Sequence, residues 1–166
     1  MKYDDASWHY GGDFPSDLPP EAGATHIGMF VAWAFLEGLN NPEEDFDIEP
    51  LISRTKTPGA YLFDYLDGKF VESMLNEKGR RFAKLYFSLE NEVYIQDYSR
   101  KLLNGLPTLY HVQDTWSNFD ILKPMLDNRF SLVNSGIIPI KKMTGARGIL
   151  QKATIAILNT VFKKHR

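Results

Sequence analysis

Cysteine is absent from this chain of 166 residues, which excludes disulfide bonds, thiolate-ligated metal centres and cysteine nucleophiles. Long apolar runs are also lacking. The longest uninterrupted stretch, Met29–Leu36, has eight residues, whereas a membrane-spanning helix needs about 20. The first ten residues, MKYDDASWHY, have neither the basic flank nor the apolar run of a secretory signal. These absences predict a cytoplasmic protein without a membrane span.

The composition is typical of a globular chain. Apolar residues make up 43% of the sequence and charged residues 24%, which is too apolar for a disordered protein. A chain of this length can bury one hydrophobic core without metal or disulfide support. We therefore predict a single domain over residues 1–166.

The formal net charge of -2 conceals a strong gradient along the chain. Residues 1–50 carry eleven acidic side chains and one basic one, whereas residues 141–166 carry seven basic ones and none acidic. Such an axis can steer a charged partner, although the two ends can also lie together and cancel. The middle of the chain, residues 51–140, holds ten acidic and eleven basic residues, so no basic groove for nucleic acid is predicted.

The pattern of apolar residues predicts a mainly α fold, a multi-helix bundle around one buried helix. Glycine and proline in residues 1–19 indicate an irregular N-terminal arm. The helix predicted at about residues 20–37 is apolar on nearly every side, which is typical of a central element. A basic C-terminal helix is predicted within residues 141–166.

Local signals mark several helix ends. Thr57 and Pro58 are typical of a helix cap and first turn, and Gly68 is suited to the helix end. Further along, Asp114 or Thr115 can cap the helix that follows them. These signals place turns well, but they do not say which helices meet.

Two residues at helical spacing predict a surface ion pair in the helix over 92–103. Asp97 and Lys101 are separated by four positions, which places their side chains on one face. We expect this pair to stabilise the isolated helix slightly.

A group of carboxylates and imidazoles near the start of the chain is the first candidate site. Asp4, Asp5, His9 and His26 are residue types that bind transition metals or serve as acid and base around a water molecule. Their spacing matches no known ligand motif. The alternative is structural: short aspartates cap turns, and a histidine hydrogen-bonds the backbone of the arm or packs neutral in the core.

The second candidate is a dense acidic segment between two prolines. Five carboxylates within seven residues repel one another unless solvent or a cation relieves the repulsion. A solvated loop is one interpretation. The other is a binding surface for a partner with a basic surface. The five residues are Glu43, Glu44, Asp45, Asp47 and Glu49.

Catalytic motifs are scarce. His111, Asp114 and Ser117 are close in sequence, but no serine lies in the GxSxG turn that a serine hydrolase uses. No phosphate-binding glycine motif is complete either. We therefore predict a protein without enzymatic activity and without a cofactor.

Three stretches carry a resemblance to a known family. They are DDASWHYGGDFPSDLPPEAGATHIGMFVAWAFLEGL (4–39), EVYIQDYSRKLL (92–103) and LPTLYHVQDTWSNFDILKPMLDNRF (106–130). They resemble a family of small, uncharacterised bacterial proteins, over most of residues 3–133. The resemblance extends to immunity-type proteins that accompany polymorphic or type VI-secreted toxins, and it carries over no catalytic residue.

Three hypotheses for the function follow. The first is an immunity protein that neutralises a cognate bacterial toxin by occlusion, with the acidic segment as the contact surface. The second is a small metal-dependent hydrolase that uses Asp4, Asp5, His9 and His26. The third is an adaptor subunit of a larger assembly. The sequence does not determine the oligomeric state.

Overall fold

A computed structural model describes residues 1–10, 14–88 and 92–136 of the chain. The described part is mainly α-helical and contains one small sheet, which confirms the predicted fold class. The basic helix predicted within 141–166 lies outside the described residues. In chain order the elements are β1 (Lys2–Asp5), a 3₁₀ helix (Ala6–His9), a 3₁₀ helix (Pro20–Ala24), α1 (Thr25–Leu36), α2 (Glu49–Ile52), α3 (Pro58–Leu66), β2 (Lys69–Val71), a 3₁₀ helix (Glu72–Met74), α4 (Glu77–Phe82), a π-helical turn (Ala83–Phe87), α5 (Val93–Leu102), a 3₁₀ helix (Leu109–His111) and α6 (Trp116–Asn134).

Helix α1 is the centre of the core, as its sequence predicts. Every residue from Thr25 to Phe35 is buried. The ring of Phe30 packs against the rings of Phe82 and Phe87, at centroid distances of 5.9 and 4.7 Å. A helix surrounded by aromatic side chains in this way has no polar face to give to solvent, which explains its uniform composition.

Helices α1 and α3 make an unusually close crossing. A Cβ atom added at Gly28 would lie 2.3 Å from the carbonyl oxygen of Pro58. Only glycine permits that approach. Helix α3 ends as predicted, since Asp67 and Gly68 both adopt left-handed backbone conformations, with φ of 52° and 67°.

The N-terminal arm is more regular than its composition predicts. Strand β1 pairs antiparallel with β2, with Asp4 opposite Phe70 and Asp5 opposite Lys69. The 3₁₀ helix Ala6–His9 follows directly. The prediction of an irregular arm was therefore wrong for residues 2–9. The strand exists because a partner about 65 residues further along the chain provides its hydrogen bonds, and local composition does not reveal such a partner.

Helix α6 continues through Pro124 without ending there. Its first turn is capped by Thr115, whose side-chain oxygen accepts a hydrogen bond from the backbone N–H of Asn118 at 3.2 Å. Among the helices that are described, none combines the length and the apolar character needed to cross a bilayer.

Candidate functional site

Three of the four residues in the predicted metal cluster converge in the interior. Asp4 comes from β1, His9 from the 3₁₀ helix after it, and His26 from the first turn of α1. Their side chains are 1%, 0% and 1% exposed, and one donor atom from each lies within 4.8 Å of the others. Asp5 is not part of the group, because its carboxylate accepts hydrogen bonds from Lys2 and Ser7.

A chain of hydrogen bonds holds two members of this cluster. Nε2 of His9 lies 2.9 Å from Oδ1 of Asp4, and Nδ1 of His9 lies 2.9 Å from the hydroxyl of Tyr110. The backbone N–H of Asp5 donates to the same Asp4 oxygen at 2.8 Å. Tyr110 was missed by the sequence reading, since it lies 101 residues from His9 and carries no local signal.

His26 has a different environment. Its Nε2 lies 3.6 Å from Oδ2 of Asp4, which is longer than a hydrogen bond, and neither ring nitrogen has a hydrogen-bond partner among the described residues. Its ring meets that of His9 edge-on, with centroids 4.7 Å apart. The backbone is fixed by Tyr94, whose hydroxyl donates to the His26 carbonyl. Buried polar atoms in proteins are nearly always paired, so this imidazole is exceptional.

The electrostatics of the cluster keep one anion among the imidazoles. Burial alone would raise the pKa of Asp4, but the charge of His9 and the interactions with both histidines outweigh it and hold that pKa well below its usual range. Burial lowers the pKa of His26, although Asp4 opposes the shift. An ionised carboxylate beside a neutral imidazole is a donor set that suits a divalent transition metal.

A cleft of about 730 Å³ is lined in part by Tyr110. Its lining includes Thr25, Tyr110 and Phe63, together with the acidic side chains of Glu21 and Asp114. The volume falls within the range of small-molecule sites. The three cluster side chains do not line this cleft. They would therefore not meet a substrate that is bound in the cleft.

Asp114 has a structural role that the sequence did not indicate. Its carboxylate accepts hydrogen bonds from the backbone N–H groups of Gly59 and Ala60, at 2.9 and 3.0 Å, and from the hydroxyl of Thr57. Thr57, predicted to cap α3, makes no side-chain cap itself. A carboxylate from a distant loop caps this helix instead, which suits the positive end of the helix dipole.

The acidic segment, residues 43–49, lies on the surface with all five carboxylate residues exposed. None of the five takes part in an ion pair within the described ranges. The segment nevertheless has local order. The Asn41 side chain accepts from the backbone N–H of Glu43, and the hydroxyl of Tyr61 donates to the carbonyl of Asp47 at 2.9 Å. The carboxylates are thus presented by an anchored loop.

Exposed apolar side chains lie next to this segment. Ile52, 57% exposed, ends the helix that Glu49 begins, and Tyr65, 44% exposed, stacks on Tyr61 at a centroid distance of 4.9 Å. We call this region the acidic–apolar face: residues 43–49, Ile52 and Tyr65.

An arginine with two partners, Arg54, lies two residues after Ile52, at the edge of the acidic–apolar face. Both terminal nitrogens of Arg54 donate to the Asp120 carboxylate, at 2.8 and 2.7 Å. The guanidinium lies over the Trp116 ring, 4.7 Å from its centroid. Arginine and tryptophan are among the residues that contribute most to protein–protein binding.

Comparison with known proteins identifies a family and no function. A family model described as a domain of unknown function (DUF7832) matches residues 2–112, about two thirds of the chain. No curated protein and no solved structure matches the chain. The matched region contains the buried cluster and the acidic segment, and it ends before α6.

Proposed function

This chain belongs to the family of the domain of unknown function DUF7832, and we propose that it is a non-enzymatic protein-binding module. More specifically, we propose an immunity protein that neutralises a cognate bacterial toxin by covering its active surface. The observation that carries the proposal is the acidic–apolar face, in which five exposed carboxylate residues border the exposed side chains of Ile52 and Tyr65.

The chemistry of this face defines the partner. Exposed apolar side chains supply burial energy at the centre of an interface, and a charged border supplies orientation and speed of encounter. The five carboxylates would attract a surface rich in lysine and arginine. Enzymes that act on nucleic acids have such surfaces, because they must neutralise phosphates. A toxin of that chemical class fits the face.

The buried cluster supports a function without catalysis. Asp4, His9 and His26 are the described group best suited to acid–base work, and their side chains are at most 1% exposed. A catalytic group must reach the reacting atom directly or through one water molecule. The enclosure of these residues supports binding over hydrolysis.

The test is co-expression with the product of the adjacent gene in the native genome. We expect the two proteins to form a stable complex, and cells that produce the neighbour to survive only when this chain is present. The triple variant Glu43→Lys/Glu44→Lys/Asp45→Lys should slow association at least about tenfold at low salt and remove most of its salt dependence.

A matched pair of single variants separates the face from general charge effects. Glu44→Gln removes one charge from the face, whereas Asp67→Asn removes one from another exposed position, at the end of α3. Only the first should slow association. Equal rates for both variants, or survival that is independent of this chain, would refute the proposal. A partner that is a non-toxic subunit would favour the adaptor hypothesis instead.

A further inference from the structure

We propose that Asp4, His9 and His26 form a closed binding site for one divalent first-row transition-metal ion, a site that stabilises the fold and does not act on a substrate. The donors are two imidazoles and one carboxylate, a set that zinc, iron, cobalt and manganese all accept. The site is independent of the acidic–apolar face, which lies on the surface and does not include these residues.

The distances fit such an ion with a small adjustment. Two donors that are each about 2.1 Å from one ion lie at most about 4.2 Å apart. Here Nε2 of His9 and Oδ1 of Asp4 are 2.9 Å apart, and Nε2 of His26 is 3.6 Å from Oδ2 of Asp4. The upper bound for the set is 4.8 Å. A rotation of one imidazole or of the Asp4 carboxylate would bring all three donors within that limit.

Supporting hydrogen bonds of the usual kind are already in place for His9 and Asp4. A histidine that binds metal through one nitrogen nearly always hydrogen-bonds a second group through the other. Nδ1 of His9 makes such a bond with the Tyr110 hydroxyl, and the backbone N–H of Asp5 orients the Asp4 carboxylate. With Nε2 as the metal ligand, Nδ1–H of His9 donates a hydrogen bond to the Tyr110 hydroxyl oxygen, which fixes the imidazole ring.

The state of His26 is the independent observation that points to a ligand. Its side chain is 1% exposed, and both of its ring nitrogens lack a protein partner among the residues described. A hydrogen-bond network that only joined Asp4 to Tyr110 would not need a second imidazole at the same carboxylate. Leucine or phenylalanine would fill the position among apolar neighbours without an unsatisfied polar atom. An ion shared with Asp4 gives this imidazole a partner.

The location of the cluster explains what the ion would do. Asp4 and His9 belong to the N-terminal strand and the 3₁₀ helix after it, whereas His26 belongs to the central helix α1. One ion would therefore hold the start of the chain to the core. Disulfide bonds have this role in other proteins, but a chain without cysteine cannot form them.

The experiment uses the full-length protein without an affinity tag, so that added histidines do not contribute. Metal content is measured after purification without chelator, and the metal-free protein is then titrated with cobalt(II) and zinc(II). We expect one ion per chain and a visible absorption spectrum typical of cobalt(II) with a low coordination number. The melting temperature should be about 5–10 °C higher when the free metal concentration is a hundred times Kd.

Three variants test whether the metal binds at the cluster. His26→Gln should weaken cobalt binding at least about 100-fold, and Tyr110→Phe, which removes only the supporting hydroxyl, should weaken it about tenfold. The control, His111→Gln, alters a histidine outside the cluster and should leave binding unchanged. If His26→Gln does not fold, Tyr110→Phe alone still tests the site through the affinity and the cobalt spectrum.

Several results would overturn the proposal. Metal below a tenth of an equivalent with no saturable cobalt binding would show that the cluster is a hydrogen-bonded network, with water at His26. Equal losses of cobalt affinity in Tyr110→Phe and His111→Gln would show that the metal binds elsewhere. None of these outcomes bears on toxin binding, so failure here is distinct from failure of the proposed function.

Discussion

Two aspartates, Asp4 and Asp97, lie in the interior of the molecule, and their surroundings differ. Asp97, on α5, is fully buried and accepts hydrogen bonds from Arg129 at 2.7 and 3.1 Å and from the Tyr86 hydroxyl at 3.0 Å. Arg100 contributes a further contact at 3.3 Å. Asp4 is equally buried but meets imidazoles in place of guanidinium groups.

The difference separates a structural network from a candidate site. An arginine carries its charge at every relevant pH and cannot bind a metal, so the Asp97 network is complete in itself and joins α5 to α6. Histidine can be neutral, can bind a metal ion through a deprotonated ring nitrogen, and has two ring nitrogens that need partners. Burial of an acid is therefore a weak indicator of function, whereas the chemistry of its partners is a strong one.

The largest effect is expected from Asp97→Asn. The substitution leaves Arg129 beside a neutral amide in a part-buried position, and we expect the free energy of unfolding to fall by about 3 kcal/mol in urea titrations. Asp120→Asn is the control, because Asp120 also pairs with an arginine but is exposed. It should cost far less. Similar losses of unfolding free energy in both variants would contradict the distinction between the buried and the exposed ion pair.

Asp4→Asn should lower the free energy of unfolding by less, about 2 kcal/mol, because the amide can still hydrogen-bond His9 while the charge attraction is lost. The comparison sharpens when zinc is added. Zinc should raise the melting temperature of the Asp97→Asn variant as it does in the wild type, but it should not raise that of Asp4→Asn. Calorimetry of the two variants with and without the ion measures this. Equal responses would show that Asp4 is no ligand.

Alkaline pH should destabilise the fold through the buried tyrosines around the core. Burial, with the charge of Asp47, raises the pKa of Tyr61 to about 12, and burial with the charge of Asp97 raises that of Tyr86 further. Unfolded tyrosines ionise near pH 10, so above pH 10 the native state holds more protons than the unfolded state. Stability must then fall as the pH rises.

Urea titrations between pH 8 and 12 test this expectation. The free energy of unfolding should be level up to about pH 10 and decline beyond it. Tyr86→Phe removes one of the titrating groups, so its decline should be shallower than that of the wild type. A decline that is equally steep in this variant would show that Tyr86 does not contribute.

The smallest effect is expected in the acidic segment. Exchanging Glu43, Glu44 and Asp45 for their amides should change the free energy of unfolding by less than about 0.5 kcal/mol, because these side chains are exposed and unpaired among the described residues. Any change should be a small gain at low salt, as repulsion is relieved. Thermal melts at two salt concentrations measure it. A loss above 1 kcal/mol would show that the carboxylates have a structural role.

Much of the architecture could be read from the sequence. The apolar character of residues 27–36 predicted the buried central helix, and Pro58 and Gly68 predicted the bounds of α3. These features are local, since periodicity and turn chemistry act over a few residues. The composition of the acidic segment raised a solvent-exposed loop as one of two interpretations, and the structure places the segment at the surface.

Polar partnerships could not be read in the same way. The partners of Asp97 are Arg129, 32 residues away, and Arg100, and not the predicted Lys101. The predicted cap of α3, Thr57, is replaced by Asp114, which lies 57 residues further along the chain. Local spacing identifies neighbours on one helix, but a buried charge takes whichever partner the packing brings to it. The sequence therefore overestimated short-range pairs.

By itself the sequence determined that the chain is helical and cysteine-free, with a hydrophobic centre and a strongly acidic first third. Only the tertiary structure decided that Asp4, His9 and His26 meet while Asp5 turns away, and that Tyr61, which holds the acidic segment, stacks on the exposed Tyr65. The reason is physical. Helix formation depends on residues within a few positions of one another, whereas a binding site depends on which distant segments the closing of the core brings within a few ångströms.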